Sequence, residues 1–119
     1  MFKASFQHEK EKLDYYFEDL KNTFKDRCNV VRSNDLQIDI NAKGVSKGSA
    51  VKTIGKLCGV SVNEIICVGD AGNDIPMLEV AGFPIAVANA QDNVKQICKE
   101  VVVDNNNDAI KYIIEKYCI

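Results

Sequence analysis

Ile65-Ile66-Cys67-Val68 is a run of four apolar residues with no polar position to turn toward water, and it leads straight into Gly69-Asp70-Ala71-Gly72-Asn73-Asp74. A strand apolar on both faces belongs inside a parallel sheet covered by helices, not on a half-solvated antiparallel one. The surrounding pattern agrees. Ser46 is a candidate N-cap for a helix carrying Ala50, Val51, Ile54, Leu57 and Cys58 on one side, and Gly59 is suited to end it. After the acidic turn, Asn73 or Asp74 can cap a helix with Pro76 in its first turn and Met77, Leu78 and Ala81 inward, stopped by Gly82. Pro84-Ile85-Ala86-Val87 predicts the next strand. A helix from Asn89-Ala90-Gln91-Asp92 with Val94, Ile97 and Cys98 apolar leads to a third strand, Val101-Val102-Val103. A polar loop, Asp104 to Asp108, precedes a last helix lined by Ala109, Ile110, Ile113, Ile114 and Tyr117. Strands and helices in strict alternation predict an α/β fold around a parallel sheet.

The first 43 residues read differently. Leu13, Tyr16, Phe17, Leu20 and Phe24 recur at helical spacing among charged residues, which predicts an amphipathic helix with a core-facing seam. Asn29-Val30-Val31-Arg32 and Leu36-Gln37-Ile38-Asp39-Ile40 predict two short strands joined through Ser33-Asn34-Asp35. Alternation in the second puts Leu36, Ile38 and Ile40 on one face and Gln37 and Asp39 on the other.

Length and charge narrow the function classes. A chain of 119 residues, 46% hydrophobic, is enough for one compact domain. Its formal charge of −2 comes from 15 basic and 17 acidic residues spread along the chain, so nothing draws it to nucleic acid or an anionic membrane. No run approaches the ~18 apolar residues of a membrane span, and the charged Met1 to Lys12 segment does not read as a secretory signal, so a cytoplasmic location is expected. The five cysteines are widely spaced, with no Cys-x-x-Cys pair, and are expected to be reduced, buried thiols acting as small hydrophobes.

Ligands of open parallel sheets bind beyond the carboxyl ends of the strands. Asp70 directly follows such a strand, beside turn N–H groups and a helix start that favour anions, and Asn89 holds the equivalent place one strand later. Phosphate esters resist hydrolysis because an anionic nucleophile must approach an anionic group, so a site for them needs a divalent cation and fixed positive charge. Asp70 offers the hard oxygen that Mg²⁺ prefers, while Gly69, Ala71 and Gly72 leave room for a ligand against the backbone. The bland reading of Asp70 and Asp74 is a pair of helix caps. Lys47, between Gly44 and Gly48, is a candidate fixed cation or merely a solvated lysine, and the segment lacks P-loop spacing. His8 reads as a surface residue, and Asn105-Asn106-Asn107 as a solvated loop without functional weight.

Gly44-Val45-Ser46-Lys47-Gly48, one helix and one strand before Gly-Asp-x-x-Asn-Asp at 69–74, followed by Met77-Leu78, Ala81-Gly82 and Asn89-Ala90, resembles the C-terminal half of a haloacid dehalogenase-like phosphatase of the Cof type with a C2 cap. The resemblance implies a Rossmann-like three-layer core from residue 44 to 119, with residues 1–43 as the α+β end of the cap. It implies Mg²⁺ held by Asp70 and Asp74, Lys47 and Asp74 as catalytic residues, Lys47 and Asn73 as substrate-binding residues, and a small phosphorylated metabolite, such as a sugar phosphate, as substrate. In that family the first Asp of an Asp-x-Asp-Gly-Thr/Ser motif forms an aspartyl-phosphate. No such motif occurs in this sequence, nor does a counterpart to the family's second-motif Ser/Thr between Met1 and Lys43. The expectation is therefore the C-terminal portion of a phosphatase, inactive alone. Its strand at Ile65 to Val68 would be covered by the missing N-terminal half or by a second copy. The alternative is a catalytically inactive module for binding or assembly through that sheet edge. One departure is minor, Ala109 standing where relatives often carry Gly.

Overall fold

Two sheets of opposite kind divide the chain in the computed structural model, which describes residues 3–119. The first is antiparallel, in the order β1 (Lys3–Gln7), β3 (Gln37–Ala42), β2 (Cys28–Asn34), with helix α1 (Lys10–Phe24) packed on β2 and β3. The second is parallel, in the order β4 (Ile66–Gly69), β5 (Phe83–Val87), β6 (Glu100–Val102). Helices α2 (Lys47–Cys58), α3 (Ile75–Val80), α4 (Asp92–Ile97) and α5 (Ala109–Tyr117) alternate with its strands. The predicted α/β class and parallel sheet are both present, and Ile85, Leu78 and Val94 are almost wholly buried at its centre.

Strand β1 is the main departure from the sequence reading, which saw only a charged segment there. It pairs with β3 from Lys3↔Asn41 to Gln7↔Gln37, and Met1 and Phe2 lie outside the described residues. Alternation along it puts Lys3, Ser5 and Gln7 on one face and the short apolar pair Ala4 and Phe6 on the other, where Phe6 is still 49% exposed. Leu36 is a smaller correction: it sits in the turn before β3 and is 58% exposed, whereas Ile38 is fully buried.

Asp39, on the opposite face of β3, is 5% exposed. Burial opposes its ionised form, but hydrogen bonds from Ser33, Ser5 (2.6 Å) and Gln37 (2.8 Å), with the Lys3 ammonium at 3.0 Å, outweigh that. Together they hold the carboxyl well below the usual carboxylate range.

Helix α2 begins and ends as predicted, with the Ser46 hydroxyl accepting from the Ser49 N–H and Gly59 closing the last turn. Its buried side is only in small part the predicted aliphatic stripe, of which Val51 packs against the core. Gly48 and Gly55 are buried, while Ala50, Ile54 and Leu57 are exposed, Leu57 at 81%. The reason is proximity: a Cβ on Gly48 would lie 2.3 Å from the Pro76 carbonyl oxygen, so only a glycine lets α2 close onto α3 at that point. The thiols divide similarly. Cys67 is buried and Cys28 and Cys98 are half-buried, as small hydrophobes should be, but Cys58 and Cys118 are exposed.

Among the described residues, β4 has β5 as its only strand partner, so its other edge carries unpaired backbone groups. No helix of the described residues is long and apolar enough to cross a membrane.

Candidate active site

Strand β4 ends at Gly69, and the chain turns through a short 3-10 segment, Gly72–Asp74, before α3. Asp74 folds back over that turn. Its Oδ2 accepts from the N–H groups of Asp70 (2.9 Å) and Ala71 (3.3 Å), while its Oδ1 takes the Lys47 ammonium. Room for this comes from Gly69, where an added Cβ would meet the Asp74 Cβ at 2.7 Å and the Leu78 side chain at 2.9 Å. The glycine thus accommodates another part of the chain. The sequence reading had assigned that space to a ligand.

The same contacts correct a second expectation. The N–H groups at 70 and 71, expected to attract an anion, are already taken by a carboxylate, for which such charge-assisted bonds are strong. Lys47, which closes this network on the other oxygen, keeps its side chain half exposed.

Lys47, Asp70 and Asp74 line one pocket of about 270 Å³, with Val68, Gly69, Val87, Asn105 and Ile110 completing its wall. Asp74 is 4% exposed and fully engaged, whereas Asp70 stays exposed at the pocket. Their titrations are pushed apart. For Asp74, burial opposes ionisation, but Lys47 and the two turn amides prevail and hold it below the ordinary range. For Asp70, desolvation and the adjacent Asp74 carboxyl raise the pKa, and Lys47 offsets only part of the effect. Two carboxylates pressed together, one of them reluctant to ionise, are a donor set that a small hard cation would relieve. Among the described residues, no group of three or more His, Cys, Asp or Glu side chains forms a closed metal cage.

The other predicted residues separate. Asn73 lies on the far side of Lys47, in a second cleft shared with the first sheet. Asn89 does not line the Asp70 pocket directly. Its side chain exchanges hydrogen bonds with Asn105, at 3.0 Å and 3.2 Å, and it is Asn105 that reaches the pocket wall. The polar loop dismissed as solvated thus supplies a pocket residue. The usable signal was its place after the carboxyl end of β6, the same rule that singled out Asp70.

Residues 1–114 match the profile of the haloacid dehalogenase-like hydrolases. The chain belongs to that family. Among its relatives, M6_Spy0533 of Streptococcus pyogenes, provisionally named a phosphatase, is 31% identical over 93% of this chain and 41% of that protein. A 5-amino-6-(5-phospho-D-ribitylamino)uracil phosphatase of Escherichia coli, YbjI, is 35% identical over 72% of this chain and 32% of its own length. The crystal structure of SMU.1108c from Streptococcus mutans superposes with a TM-score of 0.90 at 29% identity, covering 98% of this chain and 44% of that one. The haloacid dehalogenase-like chain described here therefore spans less than half the length of these relatives.

Proposed function

We propose that this chain forms the phosphate-facing, electrostatic part of a Mg²⁺-dependent phosphatase acting on a small phosphorylated metabolite, a sugar phosphate being the leading class. In this reading residues 44–119 are the second half of the catalytic core and residues 1–43 the end of its cap. The observation that carries it is the convergence of Lys47, Asp70 and Asp74 on one pocket at the carboxyl end of β4. A family relative named as a phosphatase of a phosphoribityl compound supports the substrate class.

The residues then divide the work. Lys47, oriented by Asp74, faces the transferring phosphoryl group and opposes the negative charge that builds there. Asp74 is committed to Lys47 and the turn, which suits a companion acid that orients the lysine and stands behind the metal, and leaves direct metal contact to Asp70. When bound there, Mg²⁺ would supply the charge that lets an anionic nucleophile approach the phosphoryl group. Asn73, at the rim beyond Lys47, is available to the substrate side. An aspartate nucleophile has no counterpart in this sequence, so the reading expects no turnover from these 119 residues alone.

Binding provides the test. Titration with Mg²⁺ followed by inorganic phosphate, read by NMR, should shift the amides of Gly69 to Asp74 and then the Lys47 side chain, and Asp70→Ala should abolish the first effect. Hydrolysis of p-nitrophenyl phosphate by this chain that survives Asp70→Ala would overturn the assignment.

A further inference from the structure

Two loops, one after β5 and one after β6, are joined by a single pair of asparagines, and the second of these lines the Asp70 pocket. The Asn89 Nδ2 donates to the Asn105 Oδ1 at 3.0 Å, and the Asn105 backbone N–H donates to the Asn89 Oδ1 at 3.2 Å. Two bonds between the same residues fix the Asn105 side chain. The segment that carries Asn89 is itself tied to the acidic turn, because the Gln91 N–H donates to the Asp70 carbonyl at 2.9 Å. On the other side, the Asp104 carboxylate accepts from the Asn106 N–H at 2.9 Å and from the Asn107 side chain at 2.6 Å, which braces the loop that holds Asn105.

This pairing also selects which end of the Asn105 amide is free. Its oxygen is turned to Asn89, so the NH₂ group, without a partner among the described residues, is the end left for a ligand. The rest of the pocket is poor in such donors. Val68, Val87 and Ile110 offer no polar side-chain group, an ionised carboxylate only accepts, and the Lys47 ammonium is shared with Asp74. An amide NH₂ has no lone pair to give a cation, whereas it donates well to an anionic oxygen. Asn105 therefore suits the phosphoryl side of the pocket, not the metal side.

We infer that Asn105 is a phosphoryl-binding residue, donating from Nδ2 to a phosphoryl oxygen, and that Asn89 is the positioning residue that aims it. This rests on the proposed phosphate site at Lys47 and Asp70 and adds to it a donor from the loop after β6. Asn89 acts only through Asn105 and does not line the pocket.

The test titrates the 119-residue chain with Mg²⁺ alone and then with inorganic phosphate at saturating Mg²⁺, both read by NMR. In the wild-type chain phosphate should shift the Asn105 side-chain NH₂ signal together with that of Lys47. Asn105→Ala should weaken phosphate binding about tenfold, the scale of a hydrogen bond to a charged oxygen, while Mg²⁺ affinity stays within about twofold. Asn89→Ala should weaken phosphate about threefold, and the double variant no more than Asn105→Ala alone, since the two residues act as one unit. An Asn105→Ala chain that binds phosphate as the wild type does, or that loses Mg²⁺ in equal measure, overturns the inference. Additive losses in the double variant overturn the role of Asn89. Where a variant does not fold, the wild-type NH₂ signal decides alone. Phosphate that leaves Lys47 unperturbed sinks the underlying site and the inference with it, whereas phosphate that moves Lys47 and not Asn105 sinks only the inference.

Discussion

Asp39 and Asp74 are both buried carboxylates, each paired with a partly exposed lysine, yet they sit in different kinds of surroundings. Asp39 is encircled by side chains from three adjacent strands, Ser5 on β1, Ser33 on β2 and Gln37 on β3. Asp74 is held by the backbone of its own turn and stands next to a second carboxylate, Asp70, whose ionisation it opposes. Burial of a charge is solved in both places. Only the second sets two carboxylates side by side at a pocket, the arrangement on which the proposed cation site rests.

The comparison can be broken by mutation. The largest effect should come from Asp39→Ala, which strips three hydrogen-bond donors and an ammonium of their acceptor and should cost about 3 kcal/mol in urea unfolding. A loss below about 1 kcal/mol would show that the polar face of the first sheet rearranges freely. Gly48→Ala should cost about 2 kcal/mol by forcing α2 away from Pro76, and should weaken the Lys47 to Asp74 pair in the same step, read as a shift in the Lys47 side-chain NMR signal.

Acid should separate the two regions more finely. Asp39 and Asp74 have folded pKa values below their unfolded ones, so the stability they contribute is complete above about pH 4 and is lost as pH falls through the folded values. Asp39→Asn and Asp74→Asn should therefore each flatten the acid limb of stability measured at pH 3, 5 and 7. Asp70 has the opposite sign: its folded pKa is raised, so protonation relieves the fold, and its contribution to stability should rise as pH falls through the folded value toward the unfolded one. The smallest effect is Asp70→Ala at pH 7, a gain under about 1 kcal/mol because the group is largely solvated, accompanied by loss of Mg²⁺ binding. Destabilisation by that change would mean that Asp70 supports the turn instead of straining it.

Much of this was legible in the chain because local rules set it. The Ile65 to Val68 run, the Ser46 cap and the Gly59 stop each depend on neighbours within a few residues, and each element formed near its predicted place. Other features were not local. Strand β1 exists because β3 offers it an edge, 30 or more residues away, and the polar face shared by Ser5 and Asp39 follows from that pairing. The exposed Leu57 and buried Gly55 of α2 invert a pattern that hydrophobicity alone reads the other way, since a helix flank without side chains approaches its neighbour more closely than an aliphatic one. Asn105 was passed over because a run of asparagines carries no chemical signature until the loop's position is known.

By itself the sequence determined the kinds of groups available: alternating apolar runs that must bury themselves as strands and helices, and a lysine and two acids in motifs that resemble those of a phosphatase family. Tertiary structure alone decided their states. Whether a carboxylate is engaged, like Asp74, or left under strain, like Asp70, depends on distances of a few ångströms between segments remote in the chain, and electrostatic energies change steeply over that range.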